Sequence, residues 1–249
     1  MTILHDLIIV LLTYLYVVLT IIIPVQLKKR DKISKFAARK TVHLLAGLSI
    51  LVTPFFTYPI FALLIAGPLT IVVFFSSKES KVELLKDLYD SIGEEEEEKL
   101  KRKFLQGPFN YCLSITILVS IFIFLAPHQL YFAMAGILIM IIADTMASIV
   151  GKRWGKIIIK LPWTGERTLL GSTTMFSFSF LLSLGSYWYF GLFNPLTQIP
   201  LTWDIIILYA FITALLATII EILSPSTWDD MTVPICSTII IYLLTFIHL

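Results

Sequence analysis

The sequence predicts an all-α fold: a polytopic transmembrane helical bundle of about eight spans, with both termini on the outer side. Three observations predict it. The 249 residues are 57% hydrophobic and 14% charged, against about 45–50% and about 25% in soluble domains, and mean hydropathy is +0.89. Apolar runs of 17 to 22 residues recur from end to end, and roughly 20 are needed to cross the hydrocarbon core. All 19 Lys and Arg fall in three short segments.

The spans read in order as 7–27, 41–57, 59–75, 108–126, 129–150, 169–190, 203–223 and 232–249. The first lacks a basic leader and is too long for a signal-type apolar core, so it reads as a retained helix. The second and third are short, with Pro54, Pro59 and Pro68 nearby, and read as a tight hairpin of spans or a partly re-entrant pair. Together, 41–75 is too long for one helix across ~30 Å at 1.5 Å per residue. The remaining breaks fall at turn residues, Ala126-Pro127-His128 and Phe193-Asn194-Pro195.

The charge pattern sets the expected orientation. Seven cations lie in 28–40, seven in 78–103 and five in 152–167, while the loops near 58, 127 and 191–202 hold none. With eight spans the three basic loops share one side. The positive-inside rule makes that side the cytoplasm. The whole of 1–249 is thus expected to be one integral membrane domain, with a charged cytoplasmic loop at about 76–106. That loop carries five consecutive glutamates at 94–98 beside a basic cluster, a pattern of a solvated helical segment with local ion pairs. Cys112 and Cys236 form no CxxC and suggest neither a disulfide framework nor a zinc site. No basic amphipathic stretch points to nucleic acid; the bilayer is the expected partner of the basic loops.

Five ionisable residues fall within or at the edge of spans: His43, Asp144, Glu221, Asp229 and Asp230. A charge in hydrocarbon is costly, so such groups face a cavity or a partner. All five lie near the expected cytoplasmic ends of their spans. The sequence therefore points to one polar site opening to the cytoplasm at membrane level.

Four stretches supply its chemistry. In ADTMASIVGKRWGK, residues 143–156, Asp144, Ala147, Ser148 and Gly151 share a helix face. A carboxylate, a hydroxyl one turn on and a glycine-rich basic turn suit a divalent ion with a phosphate chain: Asp144 and Ser148 as oxygen ligands, backbone N–H groups near Gly151 and Gly155 as a cradle. The bland alternative is a structural aspartate bonded to a neighbouring helix. In TGERTLLGST, 164–173, Arg167, Thr168, Gly171 and Ser172 sit at a helix N-terminus, which favours anions, although Thr168 or Ser172 also suits plain capping. Asp229 and Asp230 precede the last span and suit Mg²⁺ binding, base chemistry or a cap. Arg39, Lys40 and His43 are spaced so that all three can aim at one anion.

Taken together, these stretches resemble the polyprenol kinase superfamily of dolichol kinase, phytol kinase and the CTP-dependent diacylglycerol kinase. The RKxxH element is matched by Arg39, Lys40 and His43. The DTxAxxxGxxxG element is matched by Asp144, Thr145, Ala147, Gly151 and Gly155. A K-[ST]-x-x-G-S element is matched by Arg167, Thr168, Gly171 and Ser172. A D-N-x-[TS]-[VI]-P element is matched by Asp229, Thr232, Val233 and Pro234, and a GPxxY step by Gly107, Pro108 and Tyr111. The match covers roughly 36–234 in the same order. Arg167 stands where lysine is usual, and Asp230 where asparagine is usual.

The resemblance implies phosphoryl transfer from a nucleoside triphosphate, often CTP, to the hydroxyl of a membrane isoprenoid alcohol. It implies Mg²⁺, or another divalent cation, on Asp144 and Asp229. It implies triphosphate neutralisation by Arg39, Lys40, Lys152 and Arg167, and Asp230 or His43 as acceptor of the alcohol's proton. Such a reaction needs positioning and charge stabilisation more than covalent chemistry. No G-x-x-x-x-G-K-[ST] loop is present, so a P-loop kinase fold is not expected. A membrane cytidylyltransferase would use the same triphosphate chemistry but release pyrophosphate. A transporter would need polar residues along the full depth of its spans, and the sequence places them at one rim.

Overall fold

The computed structural model describes residues 3–93, 104–193, 198–225 and 228–248. Among these, seven helices are long and apolar enough to cross a membrane. They match seven of the eight expected spans. The other, expected at 59–75, is the 15-residue apolar helix Phe61–Phe75. It is about 22 Å long at 1.5 Å per residue, less than the ~30 Å of a typical core.

Several boundaries move outward from the expected ones. The second span starts at Lys35 instead of 41, the fifth runs to Trp154 instead of 150, and the last starts at Asp229 instead of 232. Apolar runs mark only the part of a helix that meets hydrocarbon, whereas the helix continues while its backbone bonds close. Arg39, Lys40, Asp229 and Asp230 are therefore helical, not loop, residues, and His43, expected inside its span, is helical too.

The chain divides into two units, Met1–Thr116 and Ile117–Leu249. In the first, α1 (Ile3–Lys29) packs with α2 (Lys35–Gly47), α3 (Phe61–Phe75) and α4 (Glu83–Ile92). A Schellman turn ends α1: the Lys32 N–H reaches Leu27 O at 3.0 Å, and Asp31 takes a left-handed φ of 52°. Ser34 caps α2 by accepting the Ala37 N–H at 3.1 Å. The α2 helix tightens to a 3₁₀ segment over Leu48–Phe55. Tyr16 on α1 donates to Leu45 O at 2.7 Å, giving a backbone carbonyl near that segment a second partner. The expected soluble loop is partly built in. The α4 helix buries Leu88, Tyr89 and Ile92 against Val25, Val42, Val73 and Leu105, and Lys29 pairs with Asp87. The glutamate run at 94–98 lies outside the described residues. The next helix, α5 (Gln106–Leu125), contributes its residues to Thr116 to this unit.

The second unit is organised on a continuous helical rod. Its parts are α6 (Leu130–Leu138), a π-helical segment (Ile139–Ala143) and α7 (Asp144–Trp154). Two thirds of its most apolar stretch is buried, more than in any other long helix described, which makes it the core element. After it, β1 (Ile158–Ile159) pairs antiparallel with β2 (Arg167–Thr168), Ile159 opposite Arg167. This pair is the one sheet among the described residues. Two helices pack on the rod, α8 (Leu169–Ser186, continuing as a π segment over Tyr187–Phe193) and α10 (Asp229–His248), and α9 (Trp203–Leu223) packs against both of them. The contact is built on small residues. Ile139, Ala143, Ala147, Met175, Ala217 and Val233 form its core, as expected where helices associate in lipid by close approach. At the other end of the rod, Tyr131, Phe132, Tyr187 and Tyr209 interlock edge to face, and Tyr187 shares a 2.7 Å hydrogen bond with Thr213.

Candidate active site

Asp144 opens α7 directly after the π segment. Its N–H bonds back five residues to Ile139 O, a wide turn that re-aims the following side chains and recurs at functional sites. Its side chain is buried, with a residue exposure of 9%, and that of Asp230 is similar at 7%. A carboxylate oxygen of one lies within 4.8 Å of one of the other. Two ionised carboxylates that close repel by about 3 kcal/mol or more at an effective dielectric near 20. Such a pair persists where positive charge is supplied.

Arg167, on β2, supplies part of it. Its guanidinium forks between two acids: one terminal nitrogen bonds Glu221 Oε1 at 3.0 Å, the other Asp229 Oδ2 at 2.7 Å. Both pairs are mostly buried. Burial works against the charge on Arg167, but Asp229, Glu221 and Asp144 outweigh it and hold the guanidinium protonated, well above its ordinary range. The β1–β2 segment is fixed to the ends of its neighbours: Trp163 Nε1 donates to Leu223 O at 3.1 Å, and the Leu169 N–H to Ile157 O at 2.9 Å.

Asp229 and Asp230 form the first turn of α10, where the helix dipole favours negative charge. Asp229 is engaged on both oxygens. Oδ2 accepts from Arg167 and Oδ1 accepts the Asp230 N–H at 3.0 Å. Thr232, from the last motif, shares a 2.6 Å hydrogen bond with Ser224 and so closes the turn between α9 and α10. Thus the acids of three helices and one arginine meet in this unit. Some oxygens remain uncommitted. Glu221 Oε2 and Ser172 Oγ are buried neighbours that close no hydrogen bond, and Thr145 Oγ1 is buried without a partner among the described residues.

The glycines have a packing reason of their own. Thr168 caps α8, accepting the Gly171 N–H at 3.1 Å, and its side chain fills the space between α7 and α8. A Cβ on Gly151 would stand 2.8 Å from Thr168 Oγ1, and one on Gly155 would stand 2.4 Å from Gly151 O and 2.5 Å from Thr168 Oγ1. The Gly155 N–H is already bonded to Gly151 O at 3.0 Å. Gly155→Ala should therefore cost about 1–3 kcal/mol of stability through overpacking, seen as a lower unfolding midpoint in detergent. Gly185→Ala is the control: a Cβ there would meet nothing within 4 Å, and the midpoint should hold or rise. Of the other expected phosphate ligands, Ser148 is half-buried one turn beyond Asp144, while Lys152 is exposed at the end of α7.

In the first unit, Arg39, Lys40 and His43 lie on one stretch of α2. Lys40 is buried at 7% exposure, rare for lysine. The His43 ring packs on Tyr111 at 4.1 Å between centroids, and Tyr111 Oη donates to His43 O at 2.8 Å. The RKxxH and GPxxY elements are thus neighbours in space.

Two residues carry more than their sequence context indicates. Glu221 reads in the sequence as an intramembrane acid with no assigned role, and it proves to be an ion-pair partner of Arg167. Asp6, fully buried, accepts the N–H groups of Thr57 and Tyr58, each at 2.9 Å, and so holds the turn before α3. Its signal is an acid at the very start of an apolar run.

Comparison with known proteins agrees with the family resemblance of the sequence. The chain is 28% identical over 235 residues to a probable phytol kinase 1, chloroplastic, of Glycine max, covering 90% of this chain and 71% of that protein. It is 26% identical over 227 residues to phytol kinase 1, chloroplastic, of Arabidopsis thaliana, covering 87% and 69%. The chain is a distant homologue of the phytol kinases, members of the polyprenol kinase family. A shorter stretch of 144 residues is 31% identical to a probable phytol kinase 1, chloroplastic, of Oryza sativa subsp. japonica, 57% of this chain and 43% of that one. No family model and no solved structure matches the chain.

Proposed function

We propose that the chain is a membrane lipid-alcohol kinase. It transfers a phosphoryl group from a nucleoside triphosphate, CTP in the first instance, to the hydroxyl of an isoprenoid alcohol of the phytol, geranylgeraniol or dolichol/polyprenol type. The observation that carries the reading is the meeting of Asp144, Glu221 and Asp229 around Arg167, with Asp230 beside Asp144, in a distant homologue of phytol kinases.

The residues divide into roles that phosphoryl transfer requires. The acids suit a hard divalent cation, Mg²⁺ or another: they are oxygen donors, close together and buried, with uncommitted oxygens beside them. Asp144 is the central ligand. When bound, the cation neutralises charge on the phosphate chain. Arg167 orders the acids and presents positive charge at the same place. Arg39, Lys40 and Lys152 are proposed to face the triphosphate on the strength of their motifs, with Ser148, Gly151, Gly155, Thr168, Gly171 and Ser172 shaping the phosphate site. His43 is the proposed acceptor of the alcohol's proton; Asp230 takes that role only if the cation does not occupy its carboxylate.

The test is a product assay on purified protein, with a panel of isoprenoid alcohols against CTP, ATP and UTP. A lipid monophosphate with CDP is expected. A CDP-lipid with pyrophosphate would replace this reading by a cytidylyltransferase.

The proposed topology has both termini outside and the site facing the cytoplasm. It requires the short helix Phe61–Phe75 to count as a crossing, because only then do the three basic segments share a side. Single cysteines replacing Lys32 and Lys78, in a chain without Cys112 and Cys236, should label from the same side of the membrane, because two crossings separate them. Labelling from opposite sides would remove Phe61–Phe75 as a crossing and move the site.

A further inference from the structure

We infer that the adjacent acids at the start of α10 divide the work: Asp230, with Asp144, holds the divalent cation, while Asp229 anchors Arg167. The inference deepens the phosphotransfer reading and rests on it for the use of the cation. The first argument is commitment. Asp229 Oδ2 lies 2.7 Å from Arg167 and its Oδ1 accepts the Asp230 N–H at 3.0 Å. To ligate an ion it would compete with a buried guanidinium that has only Glu221 as its other carboxylate anchor.

The second argument is separation. Oxygens of Asp144 and Asp230 already lie within 4.8 Å. One Mg²⁺ bonded to both at about 2.1 Å would hold them no more than about 4.2 Å apart, a gap that a small side-chain rotation closes. The third is independent of the acid pair. Glu221 Oε2, Ser172 Oγ and Thr145 Oγ1 are buried with no hydrogen bond. Glu221 is tied into the cluster through Arg167, and Ser172 adjoins Glu221. Mg²⁺ keeps several of its waters when bound, and those waters need such oxygens. The chain thus departs from the motif it resembles, aspartate for asparagine at 230, at the position the geometry gives to the ion.

The experiment measures Mn²⁺ binding to the purified, nucleotide-free protein by the loss of the free-Mn²⁺ paramagnetic resonance signal. Wild type should bind. Asp230→Asn and Asp144→Asn should each weaken binding by about tenfold or more, at least the usual effect of losing an outer partner of a metal ligand. Asp229→Asn should leave Mn²⁺ affinity unchanged. Should that variant not purify, Asp229→Glu keeps a carboxylate for Arg167 while displacing it by one methylene, and should also bind Mn²⁺ as wild type does. Loss of Mn²⁺ with Asp229 and retention with Asp230, equal loss in both, or no binding by wild type would each overturn the assignment. The alcohol panel is scored separately. Mn²⁺ binding without lipid phosphate sinks the kinase reading alone, and lipid phosphate with unaltered Mn²⁺ binding in Asp230→Asn sinks the ion site alone.

Discussion

Asp144→Asn is expected to reduce phosphoryl transfer by about three orders of magnitude or more, some 4 kcal/mol of transition-state stabilisation, while the protein inserts and folds as before. The two outcomes separate because asparagine keeps the shape of the side chain and removes only its charge. The π turn that places residue 144 is made by backbone bonds, and those persist. Stability should change little, since relief of the repulsion between two carboxylates within 4.8 Å of each other offsets the lost attraction of Asp144 for Arg167. The measurements are lipid-phosphate formation at saturating Mg²⁺ and CTP, and the unfolding midpoint in the same detergent. Near-normal turnover would remove Asp144 from the chemistry. A collapse of both quantities would make it a structural acid.

The value of that residue is visible in the sequence for a simple reason. An acid at the end of the run IIADTMASIV has no favourable contact with lipid, so its presence alone asks for a partner. The same logic finds Glu221, Asp229 and Asp230. The span pattern is legible because hydrocarbon thickness imposes a length on apolar runs. The helix ends are less legible. Lys35 to Lys40 continue α2 outside the apolar run, because helical bonding does not stop where hydrophobicity does. Pairing is not legible at all. That Arg167 reaches across to Glu221 and Asp229, 54 and 62 residues away, depends on how β2, α9 and α10 pack. Periodicity carries no information about that. The glycines show a similar limit. Gly151, Gly155 and Gly171 suit a phosphate cradle by composition, yet their spacing also fits around the side chain of Thr168, and a motif does not distinguish a ligand from a neighbouring helix.

Arg167→Gln should destabilise the protein by about 3–5 kcal/mol, the usual consequence of stripping one partner from a buried ion pair. Its two acids would then remain in place without their cation. The carboxylate side chains of Glu221 and Asp229 are only 6% and 14% exposed, so water cannot replace it. Two further variants identify the cause. Arg167→Lys retains a charge but not a planar fork, and should recover part of the loss, since an ammonium can favour one acid but cannot span both as the guanidinium does. Combining Arg167→Gln with Glu221→Gln removes one stranded charge and should recover more stability than the sum of the single effects allows, with a coupling of about 0.5–3 kcal/mol. Unfolding midpoints of wild type, Arg167→Gln, Glu221→Gln and the double variant in one detergent give the cycle. Additive effects would mean that the bonds at 3.0 and 2.7 Å do not act as one clamp. Activity that survives in Glu221→Gln but is absent in the double variant would show that Arg167 works on the reaction as well as on the fold.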